Sequence, residues 1–174
     1  MAYTKTQVDN MMDRCLNPFR QDIVGDNSIS VSAATETQIV INGESRNVSH
    51  GPDYFTDRWD TTNSKMTAVD EYDSPTYVAD IGFVWTPDAS SEGIAIIRLY
   101  IDTSGTQDFS TDPEIRSYTF SYKGSSAIAK NILATWYWGT EAGYDAKNDG
   151  VYFTIEFEHA GTITEPSSVI YNTQ

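Results

Sequence analysis

Cysteine is almost absent from this chain. Its single thiol, Cys15, has no second cysteine to pair with, so no disulfide framework exists within the chain. Histidine is nearly as scarce: His50 stands beside Gly51-Pro52 and His159 follows an apolar run, which leaves little for a nucleophile–base–orienter arrangement. Neither Gly-x-Ser-x-Gly nor a glycine-rich phosphate loop occurs. No apolar run approaches the roughly 18 residues of a membrane helix. The opening Met1-Ala-Tyr-Thr-Lys5 lacks the apolar stretch of a secretory signal, and the expectation is a protein made in a reducing cytoplasm. Positive charge is also short, with 11 Lys and Arg against 25 Asp and Glu and a net charge of −14. Residues 1–24 are neutral, so the whole excess falls on residues 25–174, from 8 basic and 22 acidic side chains. A body of that charge repels phosphate backbones and anionic lipid, so neither nucleic acid nor membrane is an expected partner. Solubility is the ordinary use of such a surface.

What the chain does have is enough apolar and aromatic material, 39% and 13% of 174 residues, to bury a core in one domain. Its first element reads as a helix. Thr4-x-x-Gln7 fits a capping box, and Val8, Met11, Met12, Cys15 and Leu16 form one apolar stripe before Asn17-Pro18 ends it. A lone helix of that length is marginal in water, so the stripe, with Phe19 just beyond the proline, is a candidate docking surface.

From residue 25 onward the apolar period is two. Ile29, Val31 and Ala33 alternate with serines, and 38–41, Asn42-Gly43 and 44–48 read as a hairpin. Residues 54–59 and 65–69 flank a second turn at 61–64. Further strands are expected over 76–86, 93–102, 115–122, 127–138, 151–158 and 168–172, separated by Gly/Pro/Asp/Ser loops. The predicted fold is all-β, a jelly-roll sandwich of about ten antiparallel strands behind a short N-terminal helix. Residues 1–24 form the helical docking arm and 25–174 the head.

The last third resembles the closing strands of the tumour-necrosis-factor and complement globular-head superfamily. The residues that carry the likeness are Ile132-Leu-Ala-Thr-Trp-Tyr-Trp138, Asn148-Asp149-Gly150, Val151-Tyr-Phe-Thr-Ile-Glu-Phe157 and Ser168-Val-Ile-Tyr-Asn172. Tyr54-Phe-Thr-Asp-Arg-Trp59 followed by Lys65-Met66 is a further echo. Asp149 and Gly150 stand in reverse of the order usual in that family's turn. Members of the superfamily are trimers, so the resemblance implies a homotrimer. The opening Met1-Ala-Tyr-Thr-Lys-Thr6 is similar to the starts of many bacteriophage virion proteins, and a short acidic jelly roll with an N-terminal arm resembles capsid decoration, or cement, proteins.

Paired carboxylates are the best enzymatic candidate. Glu156 and Glu158 share one face of a strand, but Phe153, Ile155 and Phe157 occupy the other, which makes the glutamates its solvated side. Asp145-x-Lys147-x-Asp149-Gly150 imitates the start of a calcium loop, yet Lys147 is wrong for it and no distal Glu follows. Asp70, Glu71 and Asp73, and the loop acids Asp108, Asp112 and Glu114, are clusters of the kind that is usually just hydrated. No catalytic residue, metal or cofactor is expected.

Consecutive Trp136, Tyr137 and Trp138 must face both sides of their strand, and a second buried face is what an oligomer supplies. Tyr118, Tyr122, Trp136, Trp138 and Tyr152 are the candidate seam between copies. The expected function is a non-enzymatic virion structural protein, of the capsid decoration or cement type. It is expected to self-associate and to dock on a major capsid or other virion protein through its arm. The alternatives are a receptor- or glycan-binding head of a tail fibre, with Trp59 and Tyr144 as contact aromatics, and a jelly-roll carbohydrate-active enzyme using the glutamates.

Overall fold

A computed structural model describes residues 4–5, 20–47, 59–66, 76–137, 140–141, 144–145 and 149–173. Among them the regular structure is β, with fourteen strands in two six-stranded sheets and a small hairpin. The first sheet runs β10 (Ile128–Tyr137), β7 (Thr76–Pro87), β14 (Gly161–Thr173), β1 (Arg20–Val24), β4 (Glu44–Asn47), and β2 (Ser28–Val31) also pairs with β14. The second runs β5 (Trp59–Asp60), β6 (Lys65–Met66), β13 (Val151–Phe157), β8 (Ser91–Ile101), β9 (Glu114–Gly124), with β3 (Thr37–Gln38) also on β13. The hairpin joins β11 (Thr140–Glu141) to β12 (Tyr144–Asp145). Every pairing is antiparallel, and the two sheets pack as a jelly-roll sandwich.

Alternation explains the core. Ala79, Ile81, Phe83 and Trp85 of β7 point inward, as do Ala95, Ile97, Leu99 and Ile101 of β8 and Phe153, Ile155 and Phe157 of β13. Trp85 stacks on Phe157 with ring centroids 3.7 Å apart and planes 6° off parallel. Phe83, Phe120 and Tyr122 meet the same Phe157 ring edge-on. Gly161 makes this packing possible, because a Cβ there would lie 2.5 Å from the Trp85 indole and 2.4 Å from the Thr86 carbonyl oxygen.

The structure changes three expectations. Residues 38–48 are not a hairpin: β3 belongs to the second sheet and β4 to the first, and the chain crosses the sandwich between them. Ile39 and Ile41 are fully buried on that crossing. Asn42-Gly43 marks a close approach rather than a two-residue turn, since a Cβ on Gly43 would fall 1.5 Å from the Val24 carbonyl oxygen. The last strand is more than twice the expected length, because β14 continues through Glu165-Pro166 on a bulge. Glu165 takes a left-handed φ of 53°, and the register shifts between Thr164 and Ser167, where proline's missing N–H does no harm.

The third change concerns the arm. Arg20–Val24 is a strand within the first sheet, paired with both β14 and β4, and Ile23 is buried in the core. The sheet therefore begins inside the segment assigned to the arm. The predicted helix and its stripe of Val8, Met11, Met12, Cys15 and Leu16, with Phe19, lie outside the described residues.

Candidate functional site

Strands β9 and β10 form a connected pair that leaves one sheet and enters the other. Gly124, at a φ of 117° that other residues rarely adopt, ends β9 and starts the turn. Among the described residues β9 pairs only with β8 and β10 only with β7, so each is the edge of its sheet. The two edges lie side by side along one flank of the sandwich.

The flank is apolar. Tyr118 and Phe120 from β9 and Ile128 and Ile132 from β10 pack half-buried against the core, while Leu133, on the opposite face of β10, is 56% exposed. Two contacts tie the edges together and guard β10 against strand addition. The Tyr118 hydroxyl accepts the Thr135 N–H at 3.0 Å, occupying a donor of β10. Lys130 lies over the Phe120 ring, 5.1 Å from its centroid, a cation placed on an edge strand's inward side.

The charged residues of β9 and β10 are Glu114, Arg116, Lys123 and Lys130; Lys123 pairs with Glu92 of β8 at 2.6 Å, and Asn131 donates to Asp80 of β7 at 3.0 Å. Residues 115–140 contain Arg116, Lys123 and Lys130 and not one acid.

Of the expected seam residues, Tyr118 is on this flank. Tyr122 is buried in the sandwich, where its hydroxyl meets His159 Nδ1 at 2.9 Å and accepts the His159 backbone N–H at 3.2 Å. Burial pushes its hydroxyl pKa up, with the hydrogen bond from His159 opposing. Tyr152 is also buried, stacked on Tyr100 with centroids 5.6 Å apart and donating its hydroxyl to Asp112 Oδ2 at 2.9 Å. Burial and the adjacent Asp112 carboxylate drive the Tyr152 pKa far above the ordinary phenol range. The Trp136 backbone stands opposite Tyr77 in the β10–β7 ladder, its side chain outside the described set, and Trp138 lies outside the described residues altogether. Phe120, Ile128, Ile132 and Leu133 escaped the sequence reading, which followed tyrosine and tryptophan side chains. The missing acids between 115 and 140 were the signal that pointed to them.

The remaining candidates are tied into structure. Trp59 is buried, and its indole N–H donates to the Ile41 carbonyl at 3.3 Å. Arg98 on the outer face of the second sheet gathers three carboxylates: Glu156 at 2.9 Å, Glu36 at 3.4 Å and Glu114 at 3.6 Å. Glu158 instead accepts the Ile94 N–H at 3.1 Å. The acids of the 103–113 loop act as its internal ties. Asp112 receives the Ser104 N–H at 2.8 Å and the Thr103 hydroxyl at 3.0 Å, and Asp108 receives the Ser110 N–H at 3.1 Å. Asp102 receives Lys65, the Gln107 N–H and the Gln107 side chain. Burial alone would raise the Asp102 pKa, but these donors outweigh it and hold the carboxyl below its usual range. No group of three or more His, Cys, Asp or Glu suited to a metal occurs among the described residues. Of the calcium-loop imitation only Asp145, Asp149 and Gly150 are described, and the Asp149 carbonyl accepts Lys65 at 3.3 Å. Asp70, Glu71 and Asp73 lie outside the described residues, as do His50 and the side chain of Tyr144.

No protein-family model matches the chain, and no curated protein does. Among solved structures it is similar to the Eiger tumour necrosis factor of S. frugiperda, at 8% identity over 90% of this chain and 94% of that one, with a TM-score of 0.49. Murine APRIL is similar at 9% identity over 88% and 98%, with a TM-score of 0.44. A chain of the cowpea mosaic virus empty particle is similar at 9% identity over 90% and 85%, with a TM-score of 0.36.

Proposed function

We propose that this protein is a non-enzymatic structural component of a virion, a decoration or cement protein. In this reading copies associate through the β9–β10 flank and dock on the particle, on a major capsid or other virion protein, through the N-terminal segment. The flank carries the reading. Two sheet edges meet there with Tyr118, Phe120, Ile128 and Ile132 half-buried against the core and Leu133 largely exposed on the outer face of β10. A partner that covers Leu133, on the outer face of β10, gains apolar area at about 25 cal/mol per Å². The carboxylates an enzyme would need work differently: Glu156 neutralises Arg98 and Glu158 caps a backbone N–H. Trp59, the aromatic a glycan-binding head would present, is in the core.

Two variants test the reading. Leu133→Asp places a charge on the flank at an exposed position, so folding is expected to survive while light scattering reports smaller particles than the parent gives. Removal of residues 1–19 spares β1, which a cut at residue 24 would delete. The shortened chain is expected to fold, to associate as the parent does, and to lose binding to isolated particles. Unchanged association of Leu133→Asp would count against the flank, and normal particle binding by the shortened chain against the arm.

A further inference from the structure

Asn42-Gly43 has turn-forming chemistry that the fold leaves unused, because the chain crosses between the sheets there. Asparagines followed by a glycine or serine are Asn27, Asn42 and Asn63. Asn27 donates its side-chain amide to the Val40 carbonyl at 2.8 Å, and Asn63 donates its own to Asp60 Oδ2 at 2.6 Å. Asn42 is exposed, and only its backbone N–H is engaged, by Asn27 Oδ1 at 3.5 Å. Among the described residues its carboxamide has no hydrogen-bond partner. Gly43 stands just before β4, so its N–H is not part of the β1–β4 ladder. With no Cβ on Gly43, nothing of its own crowds that nitrogen as it turns toward Asn42 Cγ. Both residues line an open cleft of about 550 Å³ with Val24, Gly25 and Asp26, roomy enough for water and walled by one carboxylate.

We infer that Asn42 is a site of self-modification, converted in the folded chain to isoaspartate and aspartate. The Gly43 nitrogen gives up its proton to Asp26 or to hydroxide and attacks Asn42 Cγ. A C–N bond forms and closes a succinimide ring, the Cγ–Nδ2 bond breaks, and ammonia leaves with a proton from solvent. Water then adds to either imide carbonyl. One opening gives aspartate, and the other gives isoaspartate, whose backbone runs through Cγ. Ammonia is lost and water gained with no change of oxidation state, and the chain acquires one more carboxylate.

Its position gives the change a consequence. Ile41 is pinned on one side, its N–H on Ser64 Oγ at 3.0 Å and its carbonyl on the Trp59 indole at 3.3 Å. On the other side the Val24 carbonyl oxygen lies where a Gly43 Cβ would go. Isoaspartate adds a backbone carbon between these two fixed points, at the end of the crossing from one sheet to the other.

The test holds the folded parent in mildly alkaline heavy-oxygen water and follows its peptides by mass spectrometry. Asn42→Gln, which would have to close a larger ring at the same exposed position, and the parent kept unfolded in urea run beside it. The folded parent is expected to gain heavy oxygen at Asn42 in two separable products, one of them a substrate for an isoaspartyl methyltransferase. Asn27 and Asn63 are expected to stay unlabelled in the folded chain, as is position 42 of Asn42→Gln. The unfolded parent labels at Asn42 and shows that the conditions suffice. Labelling at Asn42 in the unfolded but not the folded parent means that the fold protects the pair, and overturns the inference. Labelling of Asn27 and Asn63 as fast as Asn42 overturns it too, because the free carboxamide would then select nothing.

Discussion

Replacing Asp102 by Asn removes the only carboxylate that the Lys65 ammonium reaches among the described ion pairs. Asp102 is 0% exposed and Lys65 14% exposed at the side chain, so the orphaned cation is poorly hydrated. Breaking a buried pair from one side costs about 3–5 kcal/mol. In a domain of this size each kcal/mol moves the thermal midpoint by roughly 2–4 °C, so a fall on the order of 10 °C is expected by calorimetry or circular dichroism. Asp102→Leu combined with Lys65→Met should lose much less, because it removes both charges together. The pH dependence has a definite sign. The carboxyl is held below its usual range, so its contribution is complete above the unfolded pKa of about 3.9 and is lost as pH falls through the lower folded value. The parent should therefore destabilise more steeply than Asp102→Asn below about pH 4. A single variant that melts within about 1 °C of the parent, or a double variant no better than the single, would refute the reasoning.

Three further outcomes are expected. Phe157→Ala opens a cavity under Trp85 and should cost about 3–5 kcal/mol in urea unfolding; a loss under about 1 kcal/mol would contradict the stacked core. Gly161→Ala forces a methyl against backbone and indole and should cost about 1–3 kcal/mol, measured the same way, with a neutral result contradicting the close approach. On a broad glycan panel the parent, Glu156→Gln and Glu158→Gln should all show no turnover, and parental turnover abolished by either change would restore the enzyme reading.

Much of the sandwich was legible because apolar residues alternate strictly in its long strands. The expected 76–86, 115–122 and 151–158 lie within two residues at each end of β7, β9 and β13. Legibility failed where tertiary placement overrides local pattern. Asn42-Gly43 has the chemistry of a tight turn, but Ile39 and Ile41 are worth more as plugs between the sheets, so the chain crosses instead of folding back. Thr164-Glu-Pro-Ser167 looks like a loop because proline cannot donate to a ladder, and only the bulge reconciles it with β14. Tyr118 is half-buried on the β9–β10 flank, its hydroxyl against the Thr135 N–H. Tyr122 and Tyr152 share that chemistry and are buried within one chain, since sequence alone does not tell which aromatic faces its own core.

Self-association is the central claim, and the native mass of the unaltered chain at low salt tests it most directly. The expected value is three times the 19.4 kDa of one chain, persisting on dilution through the micromolar range. A single species of 19.4 kDa under those conditions would contradict the account, because the apolar flank would then face water as the finished surface of a monomer.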